Sequence, residues 1–256
     1  MNRDLQRELA FIVEKVQQVG QTQLSRRQDI TVEYKAHRND LLTNIDVSSE
    51  RELVSAIRGR WPHDGFLAEE EHTSGSDAEW CWVIDPIDGT RNYVSGSGPW
   101  SISIALEHRG IALLGVVHDP LHAETFTALR GSGAQLNATS LRVATSGALG
   151  SALLGATFET SEAGRSTASR LLSAFLPRVG DVRRLPAALN LSYAAAGRVD
   201  IGFVVGGRAW DVRAGELIAA EAGLEVRTRE HEGSTLTLVS PPVLSEGFLH
   251  MVESSS

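Results

Sequence analysis

Leu5, Leu9, Ile12, Val13, Val16 and Val19 recur every three or four residues. That is the period of an amphipathic helix, and Gly20 is expected to end it. A second helical stretch follows Asp46, with Leu53, Val54 and Ile57 inward and Pro62 beyond its end. The period then shortens to that of strands. Residues 81–84, 102–106, 111–117 and 125–129 predict a largely meandering sheet, with Glu107-His108-Arg109-Gly110 and Arg130-Gly131-Ser132-Gly133 as turns. Further along, the two periods alternate. Strands are expected at 152–157, 199–205 and 235–239. Helices are expected at 166–176, stopped by Pro177, at 187–197, at 211–222, stopped by Gly223, and from about Pro242. This order predicts an α+β half over 1–145 and an α/β half over 146–256. The boundary is expected near 140–150 and, with no linker or internal repeat, the two halves should pack as one unit.

Charge narrows the function. The formal net charge is −8 and no Lys or Arg run offsets it, so a nucleic-acid partner is not expected. A small anionic substrate stays compatible, because bound divalent cations reverse the field inside a cleft. Cys81 is the only cysteine, which excludes an intramolecular disulfide and a thiolate metal cage; it is expected to be a buried strand residue. Residues 1–24 carry charges throughout and do not resemble a signal peptide. Nothing approaches the roughly 20 apolar residues of a membrane span. The expected setting is cytoplasmic, and the Ser254-Ser255-Ser256 end is expected to fray.

Four segments carry candidate chemistry. Asp85-Pro86-Ile87-Asp88-Gly89-Thr90 follows an apolar strand, as a turn in which two carboxylates can bracket hard cations and Gly89 lets backbone approach a ligand. Glu69-Glu70-Glu71 lies upstream; such a run is usually a solvated loop, but here it ends an apolar stretch close to the Asp pair. His63 and His72 flank it without any zinc-binding spacing. Trp210-Asp211 opens a helix, where the Asp is either a cap or a ligand. Asp46 either caps the second helix or accepts a proton from Thr90 in a water-activating relay.

Together these segments resemble the inositol monophosphatase family of lithium-sensitive phosphatases. The resemblance runs from Trp82-Val83-Ile84-Asp85-Pro86-Ile87-Asp88-Gly89-Thr90 through Gly115-Val116-Val117-His118-Asp119-Pro120 to Trp210-Asp211-Val212-Arg213-Ala214-Gly215. It implies a layered α-β-α-β-α sandwich, a homodimer, and two or three Mg²⁺ ions per site. Glu69, Asp85 and the Ile87 carbonyl would hold the first ion, and Asp85, Asp88 and Asp211 the second. Glu69 would serve a weaker third. Glu69 is chosen from its run because it follows the small residue Ala68. Gly89 and Thr90 would cradle the phosphate, with Asp88 and Asp211 also on the substrate. Thr90, Asp46 and Glu69 would carry catalysis by in-line attack of an activated water, with no covalent phospho-enzyme.

Two departures fall on the alcohol side. Val204 stands where inositol-specific members carry an acidic residue, and a valine accepts no hydrogen bond. Leu185-Pro186 replaces a Gly-Ser or Gly-Thr pair. A phosphorylated sugar, a nucleotide or another small metabolite is therefore expected as readily as inositol phosphate. A nucleotide 3′-phosphatase and a fructose-bisphosphatase are the catalytic alternatives, and a catalytically idle regulatory relative is the non-catalytic one. Arg91, Arg184 and Arg208 are candidates for reading a second anionic group.

Overall fold

The computed structural model describes residues 3–35, 40–143 and 147–253. The expected boundary at 145/146 and the Ser254-Ser255-Ser256 end lie outside them. In chain order the elements are α1 (Leu5–Ser25), β1 (Val32–Tyr34), β2 (Leu41–Thr43), α2 (Asn44–Arg60), β3 (Gly65–Ala68), β4 (Trp80–Asp88), α3 (Thr90–Ser95), β5 (Ser101–His108), β6 (Ile111–Asp119), β7 (Glu124–Leu129), β8 (Gly133–Leu136) and β9 (Thr139–Ser140). There follow β10 (Leu153–Phe158), α4 (Glu162–Phe175), β11 (Asp181–Arg184), α5 (Ala187–Ala195), β12 (Ile201–Val205), α6 (Ala209–Glu221), β13 (Glu225–His231), β14 (Ser234–Ser240) and α7 (Pro242–Glu253).

Among the described residues, β1 and β2 form a two-stranded ribbon and two larger sheets organise the rest. The larger runs β3-β4-β5-β6-β7-β8-β9, parallel only between β3 and β4 and antiparallel thereafter. The smaller runs β11-β10-β12-β14-β13, with β10 parallel to both its neighbours. Strand alternation sorts the core into layers, because successive side chains face opposite ways. Trp82, Ile84, Ile102, Ile104, Leu114 and Val116 pack against Ile12 and Val16 of α1 and Leu53 and Ile57 of α2. Val83, Ala105 and Val117, on the opposite face, meet α5 and α6. Those two helices also cover Val204 and Val239 of the smaller sheet, whose outer face carries Ile201, Phe203, Leu236 and Leu238 under α4 and α7. The result is the α-β-α-β-α sandwich. The Ala-rich composition of α5 follows from its place between two sheets, where only small side chains permit close approach on both sides.

Three local expectations need correction. Helix α1 does not stop at Gly20 but continues to Ser25. Gly20 is buried where a Cβ would meet the His118 ring at 2.8 Å, so its missing side chain serves packing on β6 rather than termination. Thr43, not Asp46, caps α2; its hydroxyl accepts from the amides of Ile45 and Asp46, and Asp46 closes a capping box from the first turn. Asp85-Pro86-Ile87-Asp88 is not a turn. It is the bulged end of β4, and the chain turns only at Gly89. Cys81 is buried in β4, as expected.

Candidate functional site

In a regular strand Asp85 and Asp88, three apart, would face opposite sides of the sheet. The bulge changes this. Asp85 pairs with Ser103 and Asp88 with Ser101, so three steps on β4 answer two on β5 and the extra residue turns both carboxylates the same way. Asp211 joins them from the first turn of α6. One ligand oxygen from each of the three lies within 4.8 Å of the others. Each side chain is oriented by its own donors. Asp85 Oδ1 accepts from the Ile87 amide at 2.9 Å. Asp88 accepts from Ala187 N–H at 3.0 Å and Ala188 N–H at 2.8 Å, the first amides of α5, and from the Ser101 hydroxyl at 3.1 Å. Asp211 accepts from Arg208 N–H at 2.6 Å.

Asp85 and Asp88 are buried, Asp211 is half-buried, and the three carboxyls repel one another. Burial, then the charges of Glu69, Asp88 and Asp211, holds Asp85 well above the ordinary carboxylate range. Asp88 is pushed up to about 6 by burial, against the lowering effect of its amide donors. Asp211 reaches about 8 through burial and the neighbouring Asp88. So much buried negative charge is a cost unless a cation or protons neutralise it. The donors are all oxygen, which suits a hard divalent ion.

Glu69 approaches from the loop after β3, where its N–H donates to Ile84 O at 3.1 Å and its carboxylate pairs with Lys35 at 3.0 Å. It interacts directly with Asp85. Glu70 also pairs with Lys35, at 2.7 Å, and burial together with Glu69 raises it to about 8. Glu71 is exposed and faces away. On the other flank the Thr90 hydroxyl lies 3.1 Å from both Asp46 Oδ1 and Ile87 O. Asp46 thus links this flank to the start of α2, since its Oδ2 accepts from Thr43 N–H at 2.9 Å and from the Thr43 hydroxyl. Burial raises it to about 6, with Thr43 opposing. Gly89 has φ +96°, and a Cβ there would meet Pro186 Cγ at 2.9 Å, so only glycine fits the turn into α3.

The fold thus brings Asp85, Asp88, Asp211 and Glu69 to one cleft wall, with Gly89, Thr90, Ile87 and Asp46 beside them. His72 is not among them; its Nδ1 contacts Glu50 at 2.8 Å, and His63 is exposed. Glu50 itself was missed in the sequence, where a glutamate in a helix looks like surface charge. It is fully buried, and its carboxylate accepts from the amides of Glu70, Glu71 and His72 at 2.7, 2.7 and 2.9 Å. It pins the loop that carries Glu69. Lys35 was missed too, and nothing in its sequence context distinguishes it.

The cleft measures about 610 Å³ and its far wall is formed by β10, β12 and the Leu185-Pro186 lip. Val204 is almost wholly buried there, and Arg91, Arg184 and Arg208 line the same cleft. A second groove of about 570 Å³, between α4 and α7, includes Arg170, Arg178 and His250 but none of these carboxylates.

The model of the inositol monophosphatase family matches residues 4–253. The Nus factor SuhB of Pasteurella multocida is 41% identical over 201 residues, covering 77% of this chain and 75% of that protein. Among solved structures, the Thermotoga maritima IMPase superposes with a TM-score of 0.88 at 30% identity, over 97% of this chain and 98% of that one. Mycobacterium tuberculosis SuhB does so with a TM-score of 0.86, also at 30% identity, over 100% and 99%.

Proposed function

Because the chain belongs to the inositol monophosphatase family, we propose that it hydrolyses a small-molecule phosphate monoester with the help of Mg²⁺. One observation carries the reading: three carboxylates, two buried and one half-buried, drawn from two distant segments, converge within 4.8 Å while desolvation and mutual repulsion hold their pKa values high. Asp85, Asp88, Asp211, Glu69 and the Ile87 carbonyl would hold the ions. When bound, the cations supply Lewis acidity to the attacking water and to the phosphoryl and leaving oxygens.

The chain's own residues do the rest. Gly89 and Thr90 present backbone N–H groups to the phosphate. The Thr90 hydroxyl orients a water, and Asp46 Oδ1 is placed to take the proton passed through that hydroxyl. The water oxygen bonds to phosphorus as the ester P–O bond breaks, and the departing alkoxide takes up a proton from solvent to leave as the alcohol. Asp46, near 6, is mostly ionised at neutral pH and ready for that task.

Phosphate release from inositol phosphates, sugar phosphates and nucleotides, with and without Mg²⁺, tests the proposal. Mg²⁺-dependent release that disappears in Asp85→Asn is expected; equal release from wild type and variant would overturn it. A second reading, a regulatory role beside or instead of catalysis, is favoured by the Nus factor name of the SuhB relatives. The same titration separates them, since a purely regulatory protein releases no phosphate.

A further inference from the structure

The wall of the cleft facing the acidic cluster is poor in hydrogen-bond acceptors. Phe158, Leu185, Pro186 and Val204 offer none in their side chains. The Thr157 hydroxyl is already engaged, donating to Leu185 O at 2.8 Å and accepting from Asn190 Nδ2 at 3.1 Å. One carboxylate stands on this wall away from the cluster. Glu159 follows directly on β10 and is tied to the next strand by its N–H, which donates to Val205 O at 2.9 Å.

Its side chain has a prepared seat. It lies over Gly206 and Gly164, and a Cβ at either position would overlap it. The Ser161 hydroxyl donates to Oε1 at 2.7 Å and is itself held by the Gly164 amide at 3.1 Å. One oxygen is thereby oriented, while Oε2 makes no hydrogen bond among the described residues. No ion pair of the described residues includes Glu159, although Arg184 and Arg208 line the same cleft. A half-buried, oriented carboxylate with a free oxygen and no cation suits a neutral donor from a ligand.

We infer that Glu159 is a specificity-determining residue of this cleft, accepting hydrogen bonds from hydroxyls of the leaving alcohol. The inference rests on the reading of this cleft as a phosphatase site. It gives Val204 a reason to be apolar: the acceptor has moved one strand over, from β12 to the end of β10.

The test compares wild type, Glu159→Ala and Glu159→Gln on two esters, inositol 1-phosphate and phenyl phosphate, which has no hydroxyl to donate. Losing a charged acceptor should lower the ratio of kcat/KM for the polyol ester to that for phenyl phosphate by about ten- to a hundredfold in Glu159→Ala. Glu159→Gln keeps a carbonyl acceptor and should fall between. An unchanged ratio in Glu159→Ala overturns the inference. Calorimetric binding of inositol 1-phosphate and inorganic phosphate, in the presence of Ca²⁺, gives a second reading that needs no turnover. There the affinity ratio should fall likewise, and an unchanged ratio counts against Glu159. If wild type hydrolyses neither ester, the phosphatase reading fails by itself and the binding ratio still decides the role of Glu159.

Discussion

The hydroxyl of Thr90 sits 3.1 Å from Oδ1 of Asp46, a residue 44 positions earlier whose other carboxylate oxygen closes the first turn of α2. The N3 partner of a capping box and a candidate proton acceptor are thus one side chain. The cap fixes where the acceptor oxygen points.

Thr90→Val separates the two roles, because it removes the hydroxyl and leaves the cap intact. It should lower kcat by about 10²- to 10⁴-fold, the usual worth of a positioned proton-transfer group. Mg²⁺ affinity by calorimetry should stay close to wild type, and Thr90→Ser should recover most of the rate. A wild-type kcat in Thr90→Val would remove the pair from the mechanism.

Asp85→Asn should have opposite effects on activity and stability. Turnover should be abolished. The metal-free protein, however, loses a carboxyl whose ionised form burial and its neighbours disfavour, so its melting temperature should rise at alkaline pH. A gain of about 1 kcal/mol corresponds to about 2–4 °C for a chain of this size. Calorimetric melting in chelator checks this, and a lower melting temperature would show that Asp85 stabilises the empty site.

The raised carboxyls give stability a definite pH dependence. A carboxyl whose folded value exceeds its unfolded value of about 4 takes up a proton on folding; its stabilising contribution is complete below that unfolded value and is lost as pH rises through the folded one. Asp46 and Asp88 lie at about 6, and Asp211 and Glu70 at about 8. In chelator the melting temperature should therefore fall from about pH 5 to about pH 9. Mg²⁺ competes for the same sites, so the stabilisation it brings should grow across that window. A Mg²⁺-induced shift that shrinks with rising pH would contradict this.

Glu50→Ala should release the loop after β3. Three amides lose their acceptor, at a cost of about 1–3 kcal/mol given that the loop can rehydrate. Hydrogen exchange at Glu70, Glu71 and His72 should accelerate, and Mg²⁺ affinity should weaken because Glu69 is no longer held. Unchanged exchange at these three amides would show that Glu50 is not their anchor.

Much of the fold was legible in the chain. The strands β5, β6 and β7 stood out because they are buried on both faces. Among the strands that escaped notice, β11 (Asp181–Arg184) and β13 (Glu225–His231) are polar edges of the smaller sheet with little to bury, and β3 (Gly65–Ala68) is buried but only four residues long. In the site, the run of six from Asp85 to Thr90 was recognisable. Its geometry was not, since a bulge is set by the register against β5. Glu50 and Lys35 were invisible for a related reason: what distinguishes them is a partner 20 or 34 residues away, and no local pattern records it.

Asp88 holds the first two amides of α5, which lie 99 and 100 residues further along the chain. A nascent or nicked chain that stops short of that helix carries Asp85 and Asp88 on a strand end with nothing to face. It also lacks Asp211. Such a fragment should therefore bind Mg²⁺ weakly at this site, and the acidic cluster should assemble only once α5 and α6 have packed. The molecule is in this sense its own quality control: an unfinished copy lacks the assembled cluster.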